Sequence, residues 1–233
     1  MIKENFNIEN IPAVVWGKSS SKVFIAVHGN MSNKEDTVIE LFAKKATSKG
    51  YQVISFDLPE HGQRADGVLC KVQNCVRELD LVMDYVKRRW QEISLFACSM
   101  GAYFSLLSYR DCYIKQALFL SPVVSMKRII ENMMMWFGVN EARLEREQEI
   151  GTPIGQTLYW DYYCYVNEHP IDKWDVGTSI LYGDKDDLCE AEYVFGFAEE
   201  FGCDVCVVKG GEHYFHTEEQ LGAFESWVED RII

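Results

Sequence analysis

Residues 93–103 read Ile93-Ser-Leu-Phe-Ala-Cys-Ser-Met-Gly-Ala-Tyr103, and the architecture follows from how this stretch is read. Ile93 to Ala97 reads as a short strand, and Gly101 to Tyr109 suggests a helix. Ser99 stands between them, with small residues at 97 and 101 that let the backbone turn sharply. A second strand follows at Gln116-Ala-Leu-Phe-Leu120, ahead of Ser121-Pro122. A strand, a helix and a strand joined this closely form a crossover, and crossovers build parallel sheets.

The rhythm extends in both directions. Upstream, residues 10–17 and Val23-Phe-Ile-Ala-Val27 read as strands, the second a continuous apolar run suited to a central position. Ser32 and Glu35 have capping-box spacing, Val38, Ile39, Leu41, Phe42 and Ala46 follow helically, and Gly50 is placed to stop the helix before a strand at Tyr51–Phe56. Val72, Cys75, Val76, Leu79, Val82, Met83, Val86 and Trp90 keep helix period for about five turns. Downstream come a strand at Thr178–Tyr182, a helix from Glu190 to Phe201 closed by Gly202, and a strand at Cys203–Val208. A last helix starts near Thr217, boxed by Gln220, and carries Leu221, Phe224, Trp227 and Val228. The expectation is one α/β domain over residues 1–233, a mainly parallel central sheet with helices on both faces. Residues 122–176 break the alternation and read as a helical insertion over the sheet, with aromatic clusters at Met133–Phe137 and 159–165.

Composition excludes several classes of function. The formal net charge of −13 comes from 36 acidic against 23 basic residues, and the basic ones form no long patch, which argues against nucleic acid as a partner. MIKENFNIENIP has no apolar core of signal-peptide length, and nowhere do 18 uncharged apolar residues run together, so neither secretion nor stable membrane insertion is expected. The eight cysteines are scattered through helix and strand patterns, as free thiols in a reducing cytoplasm would be. Cys203 and Cys206 have Cys-x-x-Cys spacing, but three residues apart on a strand they face opposite sides, and neither a metal nor a cofactor is expected. Nothing in the sequence sets an oligomeric state.

Three segments carry chemistry. Ser99 at a strand–helix junction has the placement of a nucleophile elbow, where the next N–H, that of Met100, faces a developing oxyanion; its bland alternative is a helix N-cap. Ile180-Leu-Tyr-Gly-Asp-Lys-Asp-Asp-Leu188 and Val208-Lys-Gly-Gly-Glu-His213 end the last two strands. Both therefore lie at the carboxyl edge of the sheet, where ligands of parallel sheets gather. A serine hydroxyl is a poor nucleophile until a base takes its proton, which assigns His213 as the base. A carboxylate on the other ring nitrogen fixes the tautomer. Asp184, Asp186 and Asp187 compete for that place, and the Gly-x-x-Asp spacing from Gly183 favours Asp186. His216, just before Thr217, belongs to a helix start, and His61 reads as a loop histidine. His28-Gly29-Asn30, after a central strand, can aim the N–H of Asn30 at the same oxyanion.

These segments, His28-Gly29-Asn30, Asp57-Leu-Pro-Glu-His-Gly62, Ala97-Cys-Ser-Met-Gly101, Gly183-Asp-Lys-Asp186 and Gly211-Glu-His213, resemble the α/β-hydrolase superfamily. Within it, the resemblance is to small bacterial esterases and monoacylglycerol-lipase-like serine hydrolases. Ala97 replaces the first glycine of the family's Gly-x-Ser-x-Gly, and Glu60 the glycine usual before His61-Gly62. The His-Gly-Asn turn is also similar to that of haloalkane dehalogenases, but those carry an aspartate where this chain has Ser99. The resemblance implies hydrolysis of a small-molecule carboxylic ester through an acyl-enzyme, with 122–176 as a cap shaping a largely apolar pocket. Thioester hydrolysis and acyl transfer would use the same groups, and a catalytically silent binding protein would keep the fold without the chemistry.

Overall fold

The computed structural model describes residues 1–233. Its centre is an eight-stranded sheet in the order β1-β2-β4-β3-β5-β6-β9-β10. In chain order the strands are β1 (Lys3–Ile8), β2 (Ile11–Trp16), β3 (Lys22–Val27), β4 (Gln52–Phe56), β5 (Glu92–Cys98) and β6 (Ala117–Leu120), then β9 (Thr178–Gly183) and β10 (Asp204–Val208), with a separate β7–β8 pair between. Pairing from β4 to β10 is parallel throughout, and β2 runs antiparallel to both β1 and β4. The apolar run at Val23–Val27 is fully buried at the centre: Val23, Ile25 and Val27 face one core, Phe24 and Ala26 the other.

Helices cover both faces. α1 (Thr37–Ser48) and α8 (Glu218–Arg231) close the smaller core, while α2 (Val72–Lys87), α3 (Met100–Ser108) and α7 (Ala191–Phe201) pack over the larger one. α8 carries the Thr217–Gln220 capping box, and α7 ends on Gly202 in the left-handed region at φ 65°. α1 begins later than its Ser32–Glu35 spacing suggests. Its N-cap is Asp36, whose carboxylate takes the Val38 N–H, and Ser32 instead donates to that same carboxylate at 2.9 Å. Residues 31–35 are held out of helix by Lys34, whose N–H and ammonium both bind the buried Asp57 carboxylate, while the Glu35 carboxylate pairs with Lys3. α2 stops at Lys87, and Trp90 leaves the helix to donate its indole N–H to Gln52.

Two elements depart from the expected pattern. β1 adds an edge strand whose side chains are mostly exposed, so it carries no apolar alternation to reveal it. The 122–176 segment is helical at α4 (Met126–Trp136), α5 (Glu141–Glu147) and α6 (Trp160–Glu168), but it also holds a short hairpin, β7 (Glu149–Gly151) with β8 (Thr157–Tyr159). In α4, Met134 is buried while Met135 and Trp136 face solvent. Cys203 and Cys206 pack against opposite cores, as strand geometry requires. No helix is long and apolar enough to cross a membrane.

Candidate active site

Ser99 occupies the step from β5 into α3 with φ 48° and ψ −123°, a conformation L-residues rarely adopt. Such strain costs on the order of 1–3 kcal/mol and persists only where the surroundings enforce it. Here the Ser99 N–H is fixed on the Leu120 carbonyl at 3.1 Å, and its own carbonyl accepts from Val123 N–H at 3.1 Å. Ser121, at the end of the neighbouring strand, has φ 43° as well. The elbow also needs Gly101, because a Cβ there would lie 2.4 Å from the His28 carbonyl oxygen. Ala97 is tolerated: it sits fully buried within the ladder between Val27 and Phe119.

The loops after β9 and β10 bring the other two groups to this point. The Lys185 N–H donates to the Gly211 carbonyl at 2.8 Å and Asp184 N–H to Val208 at 3.1 Å, so the two loops are stitched together. Ser99 Oγ then lies 2.8 Å from His213 Nε2, and His213 Nδ1 lies 2.8 Å from Asp186 Oδ2. The Asp186 carboxylate is wholly buried, and its other oxygen accepts the N–H groups of Leu188 at 3.0 Å and Cys189 at 2.8 Å. That arrangement places the proton on Nδ1 and leaves the Nε2 lone pair for the serine hydroxyl. Of the rival aspartates, Asp184 is exposed and accepts from Gly210 N–H, a turn contact, and Asp187 is exposed. His216 is exposed beside Tyr214 and Glu212.

The His28–Asn30 turn packs against the elbow, so close that a Cβ on Gly29 would be 3.0 Å from that of Ser99. The N–H groups of Asn30 and Met100 donate to no backbone carbonyl; Met100 follows Ser99 as the first residue of α3, and Asn30 lines the same cavity as Ser99. His28, which motif reading left without a role, is fully buried. Its Nδ1 lies 2.7 Å from the Gly29 carbonyl, and its Nε2 accepts the Leu58 N–H at 3.0 Å. Burial pushes its pKa down to about 4, and the neutral ring donates from Nδ1 to Gly29 O. The Gly29 carbonyl and the Asn30 N–H belong to one planar peptide, so this bond also aims the Asn30 N–H. No sequence signal beyond the His-Gly pair marks it.

A cavity of about 500 Å³ opens over Ser99 and His213. Its apolar wall is Val38, Ile39, Leu120, Leu188 and Phe215, with Ser32 and Asp36 at one side. No residue of 122–176 lines it: Trp160, Tyr162, Tyr163 and Tyr165 join the larger core instead, on α6, which packs against α2 and α4. Cys189 Sγ comes within 4.8 Å of Asp186 and His213 ligand atoms. Burial and then the Asp186 charge push that thiol far up, so it stays protonated, and the carboxylate lone pairs are already engaged.

The sheet order, the strained strand–helix serine and the loop-borne histidine together give this chain the α/β-hydrolase fold. Solved structures share it along almost their whole length. Est1E from Butyrivibrio proteoclasticus with ferulic acid bound superposes with a TM-score of 0.80 at 18% identity, covering 97% of this chain and 96% of that one. Alpha/beta hydrolase domain-containing protein 10 from mouse gives 0.77 at 15% identity over 99% and 98%. An esterase from Pyrococcus furiosus gives 0.72 at 16% over 98% and 89%. No protein-family model matches the sequence, and no curated protein is similar to it at a significant level.

Proposed function

We propose that this chain is a serine hydrolase that cleaves small, largely apolar carboxylic esters through an acyl-enzyme on Ser99. The observation that carries the reading is the unbroken hydrogen-bond chain from Ser99 Oγ through His213 to Asp186, with both links at 2.8 Å. His213 Nε2 takes the hydroxyl proton as Oγ attacks the ester carbonyl, and Asp186 stabilises the imidazolium that forms. The carbonyl oxygen becomes an oxyanion between the N–H groups of Asn30 and Met100, each such donor contributing about 3–4 kcal/mol to the transition state. His213 returns the proton to the leaving alkoxide, and a water activated by the same nitrogen releases the acid. The apolar part of the ester rests on Val38, Ile39, Leu120 and Phe215, and residues 122–176 act as the cap beyond it. The setting is the reducing cytoplasm, where eight free thiols persist.

A fluorophosphonate probe should label the wild-type protein and not Ser99→Ala, and p-nitrophenyl acetate turnover should disappear with the serine. Labelling that survives in Ser99→Ala refutes the nucleophile. A chain-length series of p-nitrophenyl esters, with a feruloyl ester added because Est1E holds ferulic acid, tests the apolar pocket. Preference for charged or sugar acids would overturn the substrate class.

A further inference from the structure

Cys70 and Cys75 take no part in the chemistry above, yet of the eight cysteines they alone have their sulfurs in contact, 3.7 Å apart. Cys70 lies in the loop just before α2 and is half-buried; Cys75 is fully buried in the helix's first turn. Their environments divide the proton unequally. The Cys75 thiol, and then the His61 imidazole, pull Cys70 below the ordinary thiol range, whereas burial and the Cys70 charge push Cys75 well above it. A thiolate on a reachable sulfur beside a protonated partner is the arrangement a peroxide-reactive dithiol needs.

The pair is also tied to the oxyanion turn. Cys70 N–H donates to the Glu60 carboxylate at 2.7 Å, and the next residue, His61, places Nε2 at 3.2 Å from both the Met31 N–H and Asn30 Oδ1. A singly protonated ring, with its hydrogen on Nδ1 against the Pro59 carbonyl, accepts from Met31; a doubly protonated ring donates to Asn30. Burial alone would lower His61, but the Cys70 thiol and the Pro59 carbonyl outweigh it and raise the pKa. We infer that Cys70 and Cys75 form a peroxide-sensitive dithiol whose closure to a disulfide shifts the oxyanion turn through Glu60 and His61. The coupling to activity rests on the role assigned to Asn30 in the proposed function; the dithiol chemistry does not.

In the first step the Cys70 thiolate attacks one oxygen of hydrogen peroxide. The O–O bond breaks, hydroxide leaves and is protonated to water, and Cys70 becomes a sulfenic acid. The Cys75 sulfur then attacks the Cys70 sulfur, its proton departing with the sulfenic hydroxyl as a second water. Two thiols lose two electrons, and one peroxide becomes two waters. The sulfurs must close from 3.7 Å to about 2.05 Å, and that movement is passed to the Cys70 backbone, whose N–H is held by Glu60. Closure also removes the Cys70 contact that raises His61, which favours the ring state whose Nε2 accepts from the Met31 N–H over the state that donates to Asn30 Oδ1.

The test uses the intact protein with hydrogen peroxide. Cleavage after Lys71 should leave the peptides bearing Cys70 and Cys75 covalently joined, and Cys75→Ser should trap a dimedone adduct on Cys70. Ester turnover should fall about tenfold in kcat with little change in KM, as for a weakened oxyanion donor. Dithiothreitol should restore it, which separates the effect from methionine oxidation, and Cys70→Ser should not show the reversible loss. Unjoined peptides overturn the dithiol, as does reversible inactivation that persists in Cys70→Ser. Joined peptides with unchanged kcat overturn the coupling. If the reduced protein neither reacts with fluorophosphonate nor cleaves esters, the hydrolase reading fails, and peptide mapping still decides the dithiol. Should Cys75→Ser not fold, wild-type mapping and Cys70→Ser are sufficient.

Discussion

Asp186 differs from Asp184 and Asp187 in what surrounds its carboxylate: it is fully buried, one oxygen holding two backbone N–H groups and the other the imidazole. Asp186→Asn keeps the shape and an acceptor for those N–H groups but turns an amide toward Nδ1. The ring is then driven into the wrong tautomer, with Nε2–H facing Ser99. By analogy with the same change in chymotrypsin-type triads, kcat should fall by about 10⁴, while thermal unfolding moves little. Asp184→Asn and Asp187→Asn should retain near-normal kcat with p-nitrophenyl esters; a large loss in either would reassign the acid. The serine, aspartate and histidine were legible because each is a distinctive residue at a strand's carboxyl end. The partners that discriminate Asp186 from its neighbours were not, since Leu188 and Cys189 contribute backbone N–H groups that any residue supplies.

Elements position these groups through close backbone approach. Gly183, at the end of β9, lies so near the β10 loop that a Cβ would stand 2.3 Å from the Gly211 carbonyl oxygen. Gly183→Ala must push the Asp186 and His213 loops apart, although it touches neither side chain. Fluorophosphonate labelling of Ser99 should slow by more than tenfold, by the sensitivity of such geometry to roughly 1 Å displacements, while the sheet stays folded by circular dichroism. Unchanged labelling would mean the loops are not held by this contact. The alternation of strands and helices could be read because β3, β5 and β6 are buried on both faces and appear as apolar runs, broken only by Ser94 in β5. β1 escaped because its pairing is made by backbone along an exposed edge. The β7–β8 hairpin escaped because three-residue strands are too short to show a period. At α1 a serine–glutamate spacing misled, since the Asp57 carboxylate holds Lys34 in a turn and so delays the helix until Asp36.

At the scale of the molecule, His28 links the two halves of the site to global stability. It is buried at the end of a central strand, bridging the β3 turn to the loop after β4 with two hydrogen bonds that only the singly protonated ring can make. Burial lowers its pKa from 6.5 to about 4, so the unfolded chain binds a proton at higher pH than the folded one. The stability it contributes is therefore complete above pH 6.5 and is lost as the pH falls toward 4. The difference corresponds to a contribution on the order of 3 kcal/mol, a sizeable part of the 5–15 kcal/mol typical of a domain. His28→Gln keeps an acceptor for the Leu58 N–H but cannot take up the proton. Urea unfolding across pH 7 to 4 should show a steeper loss in the wild type than in the variant, with the gap developing below pH 6.5. Carboxylates that titrate in the same range act on both proteins and cancel in the comparison. Parallel stability curves would mean that His28 is not held neutral, and with it would go the assignment of its Nε2 as the acceptor of the Leu58 N–H.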